Sequence, residues 1–117
     1  MRFMLMQYVR QTGWAALTPD EQKEWLGIVR GYVAAMKTAG ILKESIGLDW
    51  SSAAATVRTT EGKLVVLDGP YADTREQLGG AYIIDVADLD EAIAWASRSP
   101  TAMHGVVEVR PLRELPI

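Results

Sequence analysis

The chain has 117 residues, 49% of them hydrophobic and 23% charged, with a net charge of −3. This is the composition of one globular domain rather than a disordered chain, and the length suffices to bury a core without covalent staples. The 12 Lys and Arg are scattered and there is no cysteine, which argues against a nucleic-acid binder and excludes disulfides, thiolate nucleophiles and Cys-ligated metal centres.

The chain opens on Met1-Arg2-Phe3-Met4-Leu5-Met6 and turns polar at Gln7 and Arg10. That run is too short for a signal-peptide core, and no stretch approaches the ~18–20 apolar residues that span a bilayer. A cytoplasmic protein of one domain, residues 1–117, with no membrane or nucleic-acid partner, is the expectation. Residues 2–9 read as a strand, with Phe3, Leu5 and Val9 on one face and Met4, Met6 and Tyr8 on the other. A strand apolar on both faces calls for cover on both.

Thr18-Pro19-Asp20-Glu21 is a helix start, with Thr18 as cap, Pro19 at the first helical position and Glu21 completing a capping box. Trp25, Leu26, Val29, Tyr32, Val33 and Met36 recur at helical spacing as a core-facing stripe, and Lys37 and Gly40 end the helix. Ile46, Leu48 and Trp50 alternate with smaller or polar residues, so residues 41–53 read as extended. Alternation resumes at Ala55, Val57 and Thr59, and Glu61-Gly62 is the turn of a hairpin that returns through Leu64 to Leu67. Asp68-Gly69-Pro70 stops it. Residues 81–86 form the next strand, and Asp88 caps a second helix with Glu91 as its partner and Leu89, Ala92, Ile93 and Ala96 as its stripe. Residues 106–110 make the last strand, stopped by Pro111.

The order strand, helix, strand, inserted hairpin, strand, helix, strand predicts an α+β fold, the ferredoxin-like split βαβ plait, with both helices on one sheet face. A second subunit is the natural cover for the other face. Two sheets packed face to face would make a dimeric α+β barrel with a cleft at or beside the interface.

The segment Asp68-Gly69-Pro70-Tyr71-Ala72-Asp73-Thr74-Arg75-Glu76-Gln77-Leu78-Gly79-Gly80 resembles the signature of the DGPF proteins, a branch of the YCII-related group, with Tyr71 in place of the usual phenylalanine. The opening Met4-Leu5-Met6-Gln7-Tyr8 and the closing Val107-Glu108-Val109-Arg110-Pro111 are similar to the ends of those proteins. The resemblance implies the same plait and the same dimeric barrel. It also implies an architecture shared with muconolactone isomerases, though a fold does not transfer an activity. One branch of the group has a suggested catalytic His–Asp pair with the histidine on the first helix. Here that helix reads Gln22-Lys23-Glu24-Trp25-Leu26 and holds no histidine.

Few residues could carry chemistry. Asp68, held by a Gly-Pro turn at a strand end, could act as a general base or as the acceptor of an Asx turn. His104 is the only histidine, either a proton carrier or a solvated loop residue. Glu108 and Arg110 share one face of the last strand, where they could line a polar cleft and bind an anionic or amide ligand, or simply pair with each other. Tyr8 and Tyr82 lie on strands expected to neighbour the last one, offering hydroxyls or aromatic packing. Trp14 and Trp50 fall near loops and could wall a pocket or a dimer contact. Gly79-Gly80 is followed by no helix and makes no phosphate-binding fingerprint. The sequence therefore points to a homodimer binding an unknown small molecule. It would be a cofactor-free enzyme moving a proton with Asp68 or His104, or alternatively a non-catalytic ligand-binding or regulatory module.

Overall fold

The computed structural model describes residues 1–114. Nine regular elements follow in order: β1 (Arg2–Val9), α1 (Gln11–Ala15), α2 (Pro19–Thr38), β2 (Leu42–Gly47), β3 (Ala55–Thr60), β4 (Lys63–Asp68), β5 (Gln77–Asp85), α3 (Leu89–Ser97) and β6 (Val106–Pro111). Two short 3₁₀ turns, Ser51–Ala53 and Pro100–Met103, complete the path. Four strands form one antiparallel sheet in the order β2-β5-β1-β6, and β3 and β4 form a separate two-stranded sheet. This is the expected plait with the expected inserted hairpin.

Both long helices start as their caps dictate. The Thr18 hydroxyl accepts from the Glu21 N–H, and the Glu21 carboxylate accepts from the Thr18 N–H. At α3 the Asp88 carboxylate accepts from the Glu91 N–H, while Glu91 reaches one residue further back, to the Ala87 N–H. The helices lie on one face of the sheet, where Phe3, Leu5, Tyr32, Met36, Ile84, Ala92 and Ala96 form the core. Of the proposed stripe of α3, Ala92 and Ala96 are buried, but Leu89 and Ile93 are exposed and Trp95 packs against the core instead. On α2, Leu26 is likewise exposed.

Two features depart from the alternation read in β1, one a buried polar residue and the other a shift of register. Gln7, not Val9, is the third buried residue of the strand. Its amide donates to the Leu5 carbonyl and accepts from the buried Ser99 hydroxyl at 2.7 Å, so the group is satisfied without water. Beyond Gln7 the pairing of β1 with β5 shifts register, skipping Gly79. A Cβ on Gly80 would stand 2.6 Å from the Ile46 carbonyl oxygen, and one on Gly79 would meet the Val9 side chain. The paired glycines therefore serve close strand approach at a bulge.

The expected dimeric barrel is corrected by the sheet topology. The four-stranded sheet is open, with β2 and β6 as its edges, and the hairpin sheet stands apart from it, so neither closes. Closure needs first and last strands to pair through a fixed tilt and stagger, and among the described residues β2 and β6 each have one neighbour. Apolarity on both faces of β1 demands cover; it does not prescribe a barrel. The molecule measures 49 × 45 × 18 Å, the thinness of a single helix layer on a single sheet. The opposite face carries Met4, Met6 and Tyr8, paired with Arg110, Glu108 and Val106 of β6.

The hairpin turns as expected at Glu61 and Gly62, with φ of 52° and 76°, the two positive values of a type I′ turn. At its base Gly69 has φ 110°. The Gly69 N–H donates to the Ala54 carbonyl and the Gly69 carbonyl accepts from the Thr56 hydroxyl. These bonds tie the turn in place of the predicted Asx contact, and Asp68 itself is exposed.

Inside the core, the Tyr32 hydroxyl donates to the Trp95 carbonyl at 2.8 Å and its ring lies edge-on to Tyr82. Burial pushes the Tyr32 phenol well above its ordinary value of 10.0, with the neighbouring Tyr82 adding to the effect, and burial raises Tyr82 too. A raised folded pKa means stability that is complete below the unfolded value and declines as pH rises past it. The urea midpoint should therefore fall steeply above pH 10.0. Tyr32→Phe should lower the unfolding free energy at neutral pH by about 1 kcal/mol for the lost hydrogen bond, and flatten the alkaline decline. An equally steep decline in the variant would show that other groups govern it.

Candidate functional site

At the end of the sheet where β1 finishes, four segments converge on the helix-covered side. Val9 and Arg10 leave the strand, and α1 follows at once with Gln11, Gly13 and Trp14. Leu17 and the first turns of α2 (Glu21, Glu24, Trp25, Ile28) supply a second wall. Trp50, ahead of the first 3₁₀ turn, Thr101 in the second and His104 directly after it close the remainder. The cleft encloses about 620 Å³, within the range of small-molecule sites. Three of the chain's four tryptophans line it.

Each wall is tied by a polar bond. The Gln22 side-chain amide donates to the Trp14 carbonyl at 3.0 Å, docking the end of α1 on α2. The Gln11 carboxamide oxygen accepts from both the N–H and the hydroxyl of Ser51, at 3.0 and 2.6 Å, which fixes the loop bearing Trp50. The buried Ser99–Gln7 bond anchors the turn that carries Thr101 and His104. His104 then meets Trp25 edge to face, with ring centroids 5.3 Å apart. Glu21 is committed to the helix cap, and the Thr18 N–H holds its carboxyl below the ordinary range.

A second, wider hollow of about 750 Å³ lies beyond Trp50, between the base of the hairpin and the sheet. Tyr8, Leu48, Val57, Pro70, Tyr71 and Leu78 line it, and Trp50 belongs to both walls. The loop after Pro70 is held there by the Gln77 side-chain amide, which donates to the Ala72 and Thr74 carbonyls.

The residues singled out from the sequence are spread over these places. His104 lines the tryptophan cleft and Tyr8 the second hollow. Asp68 ends β4 at the exposed base of the hairpin and lines neither. Glu108 and Arg110 come together as an ion pair on the helix-free face. Tyr82 is on β5, which β1 separates from β6, and its ring packs against Tyr32 in the core. Its expected adjacency to the last strand is thus corrected. The expected proton-transfer enzyme in a barrel cleft is corrected with the barrel, since among the described residues neither sheet closes on a lumen that would gather Asp68, His104 and Glu108. Trp25 and the carboxylates of Glu21 and Glu24 were not anticipated as a wall. Their spacing of three and four residues puts them on one side of α2, but the same spacing serves a core stripe equally well.

A family model, the YCII-related domain, matches residues 1–116. The chain belongs to the YCII-related family. It is also similar to an uncharacterized protein of Rhizobium meliloti (strain 1021), 44% identical over 87 residues, which cover 73% of this chain and 67% of that one. Among the described residues, no helix is long and apolar enough to cross a membrane.

Gln11→Ala should loosen the Trp50 wall by removing the acceptor of two Ser51 donors. Amide exchange at Ser51 should accelerate by a local opening cost of about 1–2 kcal/mol, with the Trp50 indole resonance shifting and the core tyrosines unmoved. Unchanged protection at Ser51 would mean that the 3₁₀ turn holds the loop without Gln11.

Proposed function

We propose that this chain is a non-catalytic binding module that holds a largely apolar small molecule in the tryptophan cleft and works as a homodimer. The observation that carries the first part is the convergence of Trp14, Trp25 and Trp50, from three separate segments, on one cleft of about 620 Å³. Indole rings supply large, rigid contact area with a single N–H to orient a guest. A binding role is favoured over proton transfer because the cleft's one histidine stands against an indole rather than a carboxylate, and the cap bond from Thr18 lowers the pKa of Glu21 and so makes it a weaker proton acceptor.

Self-association rests on exposed apolar surface. The cross-strand pair Val57 and Val66 is 60% and 58% exposed, and Leu64 beside it 69%. A lone two-stranded sheet is marginal in water, and such patches mark interaction surfaces. The helix-free sheet face offers Met4 and Met6 on the same chain, so a two-fold interface could use each surface twice. Glu108 and Arg110 would then sit as an ion pair in or beside that interface, and Tyr8 at the hollow between sheet and hairpin.

Two measurements check the reading. Calorimetry with a neutral probe such as benzyl alcohol should show saturable binding that Trp25→Leu weakens about tenfold, with far-ultraviolet dichroism unchanged. Equal affinity in the variant would remove the cleft from consideration. Sedimentation equilibrium at micromolar concentration should give twice the chain mass, and Val66→Lys should shift the equilibrium to monomer. A monomeric parent chain would end the dimer proposal and leave the cleft standing.

A further inference from the structure

The geometry points to an organic cation, a substituted ammonium carried on an apolar body, as the ligand class of the tryptophan cleft, an inference that rests on the cleft being the binding site. Two carboxylates, Glu21 and Glu24, line the same cleft as the three indoles, against one guanidinium, Arg10. Glu21, Glu24, Trp25 and Ile28 follow one another at helical spacing on one side of α2, so carboxylates and an indole form a single wall. Neither carboxylate is spent on an ion pair: the salt bridges of the described residues are those of Met1 with Asp85 and of Arg110 with Glu108. The Glu21 carboxylate is kept ionised by the Thr18 N–H, which binds only one of its oxygens.

Three ligand classes can be weighed against that lining. An anion would find one exposed guanidinium and two like charges, in a chain whose net charge is already −3. A neutral aromatic molecule would satisfy the indoles and leave the carboxylates unopposed. A cation uses both, because the π faces of tryptophan attract positive charge and are the strongest side chains in that role. Substitution on the nitrogen is favoured as well. A primary ammonium needs three acceptors, whereas methyl or alkyl groups spread the charge over apolar surface that packs on indole rings.

The test compares three probes sharing one phenyl ring: benzyltrimethylammonium chloride, benzyl alcohol and sodium benzoate, by calorimetry on the full chain with indole N–H resonances as the site report. Benzyltrimethylammonium should bind about tenfold tighter than benzyl alcohol, and benzoate more weakly than either. Glu24→Gln, an exposed substitution that leaves the helix cap intact, should weaken the cation about threefold and leave benzyl alcohol unchanged. Equal binding of all three, lost together in Trp25→Leu, would overturn the cation assignment and keep the cleft as a site for neutral rings. A preference for the cation that survives Trp25→Leu would overturn the assignment of that preference to this cleft. Failure of every probe to bind would overturn both readings.

Discussion

Two helices can cover one face of a four-stranded sheet, and the remaining features of this molecule follow from how that limit is met. Strand β1 sits inside the sheet with Phe3 and Leu5 fully buried under α2 and α3 and Met4 and Met6 facing the other way. The buried face contains the core cluster and therefore fixes the register of the four strands of the main sheet, since a slip of one residue would exchange the two faces. Between Gln7 and Tyr8 this regularity gives way. The Gln7–Ser99 bond occupies the last place in the core, and the pairing of β1 with β5 shifts register just beyond it. The tryptophan cleft opens there, because past Gln7 the strand no longer supplies a core residue for α2 to pack on.

The polar bonds around the cleft have a common character. Gln7, Gln11 and Gln22 each use a side-chain amide to hold a backbone or hydroxyl group of another segment: Ser99, Ser51 and Trp14 respectively. An amide is long enough to bridge segments and carries no charge that burial would penalise. Three such bridges give loop-borne aromatic groups fixed anchor points, which is what a site built from four separate segments requires.

How much of this was legible in the sequence depended on whether the governing contact was local. The caps at Thr18 and Asp88, the Glu61-Gly62 turn and the strand alternation all act within a few residues, and each was readable. Gln7 looked like the end of an apolar run because its partner is Ser99, 92 residues away. Helix α1 has five residues, a glycine within it and no side-chain cap, so propensity gives no sign of it. Leu26, Leu89 and Ile93 continue a helical stripe in sequence yet point away from the core, where the stripe is wider than the surface it packs on. Asp68, His104, Glu108 and Arg110 were grouped by chemical type. Their placement depends on the hairpin standing apart from the sheet, which no local pattern encodes.

Trp50 connects the two halves of the surface. It precedes a 3₁₀ turn held by Gln11, walls the helix-side cleft and also lines the hollow beneath the hairpin. An occupant of the cleft would therefore pack against a residue on which the hairpin-side hollow is built. Gln11 fixes Ser51 rather than the indole itself, so the backbone of this wall is held while the ring is about half exposed. A ring that walls two hollows at once cannot change rotamer without changing the shape of both. The position of Trp50, more than the identity of any titratable group, makes the end of β1 the part of this fold most suited to recognition.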